Sequence, residues 1–482
     1  MTTNTATVPA LALDVSAATD ILAKGINPAH AAEVDARIEA ILAGFRAEQE
    51  AGYATLERDL RAWTQSHLRS KEIDDTIALS ERIRARFSVF VLVGIGGSDL
   101  GGRTLIDSLD DPFHNQMDPK ARYGAPEIYF TGDTFDPRRL LALLDMLEKR
   151  GLLDRTCVNV VSKSGKTGET IAAAMVIRER MERAGVKDWA QHFVATTGQN
   201  EESVLFEMNR TTPFFGMLPV PEGVGGRFSF ASPVGMLPFA VTAVNEQPRE
   251  RIEQAMAGYA EAHRRGLLPA MDPENTAAQL AKWWQIGEQL ANKTDLVFCN
   301  YADDAKLADW FTQLYEESIQ ERGAGMNVIG TRGPTGNHSI LNGILRGPHD
   351  KLVMLVRWLG LGEDADIPTG TGIGGDLKFF EGLPLSAVQD ASCRATFADY
   401  LANGVPTGLL TVAERDSYHL FLLMRTLMDA VAIKGRLQLL DIDASGKSDP
   451  TTELTYRQDG VEGYKKRARE IAAEMQKASN AG

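Results

Sequence analysis

Short apolar runs alternate with longer segments of helical period through most of the chain. The run FSVFVLV, from Phe87 to Val93, is continuously apolar and rich in β-branched residues, as in a strand buried on both faces. The runs PEIYF and TCVNVV follow, and a segment of helical period comes after each of the three. Strands that alternate with helices predict a parallel, doubly wound sheet.

A second alternating series begins near Thr276. It contains the apolar runs DLVFCNY, NVIG and KLVMLVRW, with the helical pattern DAKLADWFTQLYEESIQ after the first of them. Residues from about 30 to 85 are charged and helical in period, and so is VEGYKKRAREIAAEMQ near the end of the sequence. The pattern predicts an α/β fold with two doubly wound parallel-sheet domains, a helical N-terminal extension and a C-terminal arm. The predicted boundaries are 1–85 for the extension, 86–245 and 246–435 for the two domains, and 436–482 for the arm.

Composition narrows the possible functions. The 482 residues are 44% hydrophobic, which is enough for a large core, and the net charge of −14 argues against a nucleic-acid-binding protein. No apolar run approaches the ~20 residues that span a bilayer, and the N-terminus lacks the pattern of a signal peptide, so we expect no membrane partner. Three well-separated cysteines without a CxxC pair are typical of a reducing compartment, which predicts a cytoplasmic protein. The eight histidines have no HxxxH or HExxH spacing, so we expect no metal site.

The segment VSKSGKTGET, from Val161 to Thr170, combines hydroxyl, lysine and glycine residues directly after a predicted strand. Its GKT is not a nucleotide-binding P-loop, because the glycine required five positions before Gly165 is replaced by Val160. A strand, a loop of hydroxyls and a helix N-terminus can instead hold a phosphate monoester. The competing interpretation is a polar turn in which Thr167 or Thr170 caps the helix.

The glycine-rich GIGGSDLGG is open to two interpretations. Gly94, Gly96 and Gly101 resemble a dinucleotide fingerprint, but the last spacing is too long for GxGxxG. Alternatively, the glycines let the backbone approach a sugar closely, with Ser98 as a further donor.

Taken together and in order, these motifs resemble the glucose-6-phosphate isomerase (phosphoglucose isomerase) family, which is built from two sugar-isomerase (SIS) domains. GIGGSDLG is similar to a family signature, and SKSGKTGET to the family's phosphate-binding loop. Four further segments match in order: GVGGRFSFASPVGMLP, QLYEES, GPTGNHS and QDGVEGYK. The resemblance implies catalytic roles for Arg227, Glu317, His338 and Lys465. It implies substrate binding by Gly97, Ser98, Ser162, Lys163, Ser164, Thr167, Thr170, Gln313 and Gln458.

The chemistry of an aldose–ketose isomerase agrees with this set. One carboxylate must move a proton between C1 and C2, and Gln313 and Glu317, four residues apart on a predicted helix, share a face. Arg227 would stabilise the charge on an enediolate, while His338 and Lys465 would open the sugar ring. The resemblance further implies interconversion of glucose 6-phosphate and fructose 6-phosphate in glycolysis and gluconeogenesis, without a cofactor. It also implies a homodimer in which His338 reaches across from the neighbouring subunit.

Other hypotheses remain open at this stage. A single glutamate on a helix is usually solvated, and Lys465 lies in the basic run YKKR, so only joint occurrence favours catalysis. The chain also departs from the family pattern at Lys166 and Gly168, and in SIQERGAG after Glu317. The alternatives are an isomerase of another acidic hexose, such as mannose 6-phosphate or a sulfonated sugar, a non-catalytic sugar-phosphate sensor, and a nicotinamide-dependent oxidoreductase.

Overall fold

The computed structural model of the chain describes residues 9–24, 26–52, 55–56, 60–373, 375–438, 454–457 and 459–480. Within these described residues, ten strands form two five-stranded sheets. The strands are β1 Leu11–Asp14, β2 Val89–Val93, β3 Glu127–Thr131, β4 Thr156–Val161, β5 Phe193–Thr197, β6 Gly216–Pro219, β7 Asp295–Tyr301, β8 Asn327–Arg332, β9 Lys351–Gly360 and β10 Thr407–Glu414.

The α-helices surround these sheets. They are α1 Ser16–Ala23, α2 Pro28–Glu50, α3 Ser70–Arg86, α4 Leu100–Leu109, α5 Pro137–Lys149, α6 Gly168–Arg183, α7 Val204–Thr211, α8 Pro233–Val241, α9 Pro248–Gly266, α10 Thr276–Gln285, α11 Lys306–Ile319, α12 Leu341–Arg346, α13 Leu385–Ala402, α14 Ser417–Leu437 and α15 Asp459–Asn480. No helix within the described ranges is long and apolar enough to cross a membrane.

The first sheet has the strand order β3-β2-β4-β5-β6, and all its neighbours are parallel. The apolar runs of β2 and β4 are buried along their whole length because helices cover both faces. The chain leaves β2 for β3 on one side and returns to β4 on the other. The carboxyl ends of β2 and β4 therefore flank a topological switch point, where open α/β sheets bind their ligands.

The second sheet has the order β1-β10-β9-β7-β8 and is parallel except at its edge. There β1 runs antiparallel to β10, with Leu11 opposite Val412. The prediction of two parallel-sheet halves is confirmed. The N-terminal extension is mostly helical, as predicted, and also contains the short strand β1, which the sequence did not predict. A four-residue strand gives too short an alternation to be recognised before its partner is known.

The two halves meet through helices. Helix α11 of the second half packs against α4 of the first, and Phe230 contacts the ring of Trp310 edge to face. Behind them, α14 is buried along almost all its length and packs against α9. This packing brings a face of α11 to the switch point of the first sheet. The four residue ranges predicted from the sequence for the extension, the two domains and the arm remain a prediction.

Candidate active site

A buried arginine lies at the centre of the candidate site. Arg227 belongs to the short 3-10 helix Gly226–Phe228, and its side chain has no exposed surface. Its Nε donates to Ser318 Oγ at 2.7 Å, and its Nη1 lies 3.3 Å from Glu317 Oε2. Burial lowers the pKa of Arg227 to about 10, although the carboxylate of Glu317 opposes this shift. The guanidinium therefore stays charged at neutral pH, where an anionic intermediate would need it.

The same guanidinium holds the C-terminal segment against the site. Arg227 Nη2 donates to the carbonyl oxygen of Thr455 at 2.7 Å and to that of Arg457 at 3.0 Å. It also lies 3.1 Å from the carbonyl oxygen of Glu317. One side chain thus joins the loop after β6, the end of α11 and the segment that leads into α15.

Gln313 and Glu317 share the face of α11 that the sequence predicted. Gln313 Nε2 donates to Glu317 Oε1 at 3.2 Å, so one carboxylate oxygen is bound by Gln313 and the other by Arg227. The Glu317 side chain keeps 28% of its surface exposed. A carboxylate that is fixed on both oxygens and still open to a ligand is suited to proton transfer.

The glycines after β2 let two loops approach closely. A Cβ on Gly97 would lie 2.1 Å from the carbonyl carbon of Gly226 and 2.5 Å from the backbone nitrogen of Arg227. Gly96 has a φ of +57°, and a Cβ there would lie 2.9 Å from Gln313 Nε2. Ser98, half-buried, ends the same turn. The close approach that these glycines permit is therefore to the segment of Arg227 and to Gln313.

In the loop from Ser162 to Thr170, carbonyl oxygens are held by backbone hydrogen bonds, and the N–H groups of Lys163 and Ser164 are available to a ligand. The carbonyl oxygen of Lys163 accepts from Gly198 N at 2.9 Å, and that of Ser164 accepts from Val204 N at 3.3 Å. Within the described residues, the N–H groups of Lys163 and Ser164 donate to no protein acceptor. These free donors follow the carboxyl end of β4, next to the first turn of α6, an arrangement that is suited to binding an anion.

The side chains of this loop divide into two groups. Ser162 is buried, and its hydroxyl lies 2.9 Å from Thr167 Oγ1, while Lys163 and Lys166 are exposed. Lys163 Nζ is 3.4 Å from Glu222. Helix α6 begins at Gly168, with Thr167 at the cap position but without a capping hydrogen bond from its side chain. The alternative of a turn capped by a threonine side chain at Thr167 therefore fails.

Thr170 contacts the loop that follows β3. It is buried in the first turn of α6, and its hydroxyl lies 3.5 Å from the carbonyl oxygen of Gly132, at the limit of a hydrogen bond. Gly132, with a φ of +81°, would bring a Cβ to 3.3 Å from Gly94 N and 3.5 Å from the Cα of Thr170. Thr170 thus packs against the loops after β2 and β3.

The C-terminal helix α15 contacts the first turn of α6. Tyr464 donates its hydroxyl to Glu169 Oε1 at 3.3 Å, in the first turn of α6. The next residue, Lys465, is half-buried. Lys465 therefore lies on a helix that contacts the first turn of α6, next to the loop that begins at Ser162. Gln458 lies outside the described residues.

No described contact joins His338 to Arg227 or Glu317. His338 ends the 3-10 helix Thr335–His338 after β8, and its ring is exposed. The preceding Asn337 fixes this turn by donating to Thr396 Oγ1 at 2.8 Å and to Tyr301 OH at 3.1 Å. His338 is therefore exposed at the surface, on a turn that the hydrogen bonds of Asn337 fix in place.

The sequence interpretation missed the residues that hold the catalytic groups in place. Ser318 accepts from Arg227, and Ser229 Oγ donates to the carbonyl oxygen of Gly226 at 2.7 Å and lies 3.2 Å from that of Gly97. Ser318 directly follows Glu317, and Ser229 follows Arg227 by two residues, so their positions next to the candidate residues were an available signal. The contact of Ser229 with Gly97, which is 132 residues away, had no such signal. No group of three His, Cys, Asp or Glu residues in the described part of the chain is arranged to hold a metal.

The sequence and the structure of this chain are similar to those of known proteins. A model of the phosphoglucose isomerase family matches residues 21–326. The glucose-6-phosphate isomerase of Rubrobacter xylanophilus is 30% identical over 92% of this chain and 96% of its own length. That of Symbiobacterium thermophilum is 32% identical over 80% of each chain. A hypothetical protein from Thermus thermophilus, TT0462, matches the structure with a TM-score of 0.77 at 26% identity, over 96% of this chain and all of its own.

Proposed function

Since the chain belongs to the phosphoglucose isomerase family, we propose that it interconverts glucose 6-phosphate and fructose 6-phosphate through an enediol. The observation that carries this proposal is the contact of Glu317 with the buried guanidinium of Arg227. A base whose proton transfer generates an enediolate lies there beside a fixed positive charge. Both lie at the switch point of the first sheet, next to the loop that offers free N–H groups.

In this proposal Glu317 removes the proton from C2 of the open-chain aldose and returns it to C1. Arg227 stabilises the negative charge on the enediolate oxygens, and Gln313 orients the carboxylate through Glu317 Oε1. Arg227 is already held by Ser318 and by backbone carbonyl oxygens, so it needs little reorganisation when charge develops. The reaction is a proton transfer within one molecule and consumes no redox equivalent.

The phosphate of the substrate would bind at the loop from Ser162 to Thr170. Support comes from the free N–H groups of Lys163 and Ser164 and from the first turn of α6, whose positive end favours an anion. Ser98 and Gly97 would contact the sugar from the loop after β2. The remaining substrate contact, from Gln458, rests on the family pattern alone.

Ring opening is assigned to His338 and Lys465. One group protonates the ring oxygen while the other receives the proton of the anomeric hydroxyl. Lys465 lies on the helix that contacts the phosphate loop, whereas His338 faces outward. An outward-facing histidine can serve a site in a second copy of the chain.

We therefore place His338 in the active site of a partner subunit of a homodimer. Support comes from a nearby segment that leaves large apolar side chains in solvent, including Ile373, which is 84% exposed, and Phe379, which is 66% exposed. This segment leads directly into α13, the helix to which Asn337 is bonded. Apolar exposure of this kind is typical of a surface that is covered by another protein. The free, buried cysteines support a cytoplasmic location.

The function is tested with fructose 6-phosphate, glucose-6-phosphate dehydrogenase and NADP⁺. We expect NADPH formation that depends on the protein and saturates with fructose 6-phosphate. Mannose 6-phosphate and a sulfonated hexose, with their aldose–ketose conversion followed directly by NMR, give the kcat/KM values that measure how selective the site is. Binding of fructose 6-phosphate without NADPH formation would reject the isomerase and favour a sensor. A higher kcat/KM for either alternative sugar would reject glucose 6-phosphate as the substrate.

Mixing two inactive variants tests the shared site. We expect Glu317→Gln and His338→Ala to be inactive separately and to regain up to about a quarter of wild-type activity after subunit exchange at equal concentrations. Random reassociation makes half of the dimers mixed, and one of the two sites in each mixed dimer then has both Glu317 and His338. Activity is measured by the coupled assay after mild dissociation and reassociation, with each variant treated alone as the control. If each site used a histidine of its own chain, no mixture would recover activity.

A further inference from the structure

Two buried hydroxyl groups lie behind the phosphate loop, on the side away from the free N–H groups. Thr197, the last residue of β5, donates to the carbonyl oxygen of Ser162 at 2.7 Å. Its Oγ1 also lies 3.3 Å from the carbonyl oxygen of Lys163 and 2.6 Å from Ser203 Oγ. Thr197 has no exposed surface and Ser203 has 1%. Neither residue belongs to the set that the family pattern indicates.

The number of protons fixes the direction of this chain of hydrogen bonds. Thr197 has one hydroxyl proton, and the carbonyl oxygen of Ser162 can only accept, so Thr197 donates there. Ser203 must then donate to Thr197 Oγ1, and Ser203 Oγ in turn accepts from Phe206 N at 3.3 Å. The first turn of α7 is thereby linked through two hydroxyls to the backbone of the phosphate loop.

These bonds determine which way the loop peptides face. The carbonyl oxygen of Ser162 accepts from Thr197 Oγ1 at 2.7 Å and, more weakly, from Gly165 N at 3.2 Å. Those of Lys163 and Ser164 accept from Gly198 N and Val204 N. In a trans peptide the N–H points away from the carbonyl oxygen. Binding the carbonyl oxygens of Ser162 and Lys163 on one side therefore turns the next two N–H groups, those of Lys163 and Ser164, to the other.

We propose that Thr197 and Ser203 are positioning residues for phosphate binding, which hold the loop so that two backbone N–H groups face the anion. The proposal rests on the proposed function in one respect, namely that the loop from Ser162 to Thr170 holds the phosphate of the substrate. Neither hydroxyl touches the ligand. Their contribution is to remove, before binding, the freedom of these two peptides to rotate.

The test compares Thr197→Val with Thr197→Ser and with a matched control, Thr196→Val. Thr196 is the preceding residue of β5, is equally buried, and gives its hydroxyl to Asn159 Oδ1 at 2.9 Å instead of to the loop. We expect Thr197→Val to raise the KM for fructose 6-phosphate by about 5- to 20-fold, with kcat within about twofold of wild type. Thr197→Ser retains the hydroxyl and restores the wild-type KM. Thr196→Val leaves the KM unchanged.

Inorganic phosphate separates this proposal from the assigned activity. We expect isothermal titration of phosphate to show the same loss in Thr197→Val, whether or not the protein turns over fructose 6-phosphate. Failure of the coupled assay with phosphate binding intact would reject the proposed function and leave the positioning role standing. An equal loss of phosphate binding in Thr196→Val and Thr197→Val, or a lower kcat at an unchanged KM, would overturn the positioning role.

Discussion

Replacing Glu317 with glutamine lowers kcat for fructose 6-phosphate by about 100- to 10,000-fold and leaves KM within about threefold. The amide keeps the size of the side chain and an oxygen that can face Arg227 Nη1, now 3.3 Å from Glu317 Oε2. It cannot accept the proton from carbon, and general-base catalysis contributes about 100- to 10,000-fold. Turnover is measured by the coupled assay, and exchange of the C2 hydrogen of glucose 6-phosphate with solvent deuterium is followed by NMR.

Glu316→Gln is the matched control for this variant. Glu316 precedes Glu317 on α11, but its Oε1 accepts from Val328 N at 2.6 Å and so faces β8. The amide oxygen of glutamine can accept the same bond, so we expect kcat within about twofold of wild type. A Glu317→Gln variant that exchanges the C2 hydrogen at the wild-type rate would show that another group is the base.

Most of the fold could be predicted from the sequence because its strands are short, continuous apolar runs. Strands β2, β4 and β7 are buried on both faces, so β2 is apolar throughout, and β4 and β7 are mostly apolar with Asn159 and Asn300 buried inside them. Strand β1 could not be predicted, since its four residues become a strand only by pairing with β10, about 400 residues away. Sequence patterns record burial well and long-range pairing poorly.

In the candidate site, too, features that are local in the sequence could be predicted and long-range contacts could not. The shared face of Gln313 and Glu317 depends on a spacing of four along one helix, and in the structure the two side chains are hydrogen-bonded. The backbone carbonyl oxygens that hold Arg227 could not be predicted, because those of Thr455 and Arg457 are 228 and 230 residues away. Thr197 shows why supporting residues escape notice, since a threonine at the end of a buried strand has no distinctive pattern. Chemistry that is local in sequence was predicted, and the network that positions it was not.

Replacing Arg227 with lysine should affect both catalysis and stability. We expect kcat to fall by about 100- to 1,000-fold, because a developing negative charge loses its fixed donor. The ammonium group is compact and cannot reproduce the planar set of bonds that now reaches Ser318, Glu317 and the carbonyl oxygens of Thr455 and Arg457. Losing several of these bonds should lower the free energy of unfolding by about 2–4 kcal/mol. Kinetics and urea unfolding measure the two effects separately.

Arg425→Lys distinguishes catalysis from stability. Arg425 is also buried, and it binds Asp429 Oδ2 at 3.0 Å, the carbonyl oxygen of Thr64 at 2.7 Å and His263 Nδ1 at 3.1 Å, without a described contact to Glu317. We expect a comparable loss of stability with kcat within about threefold of wild type, because its bonds support the core behind the site. If both lysine variants lost activity in proportion to stability, Arg227 would be a structural residue. A loss of activity confined to Arg227→Lys would instead identify it as the group that stabilises the enediolate, because its guanidinium contacts Glu317 and no described contact joins Arg425 to Glu317.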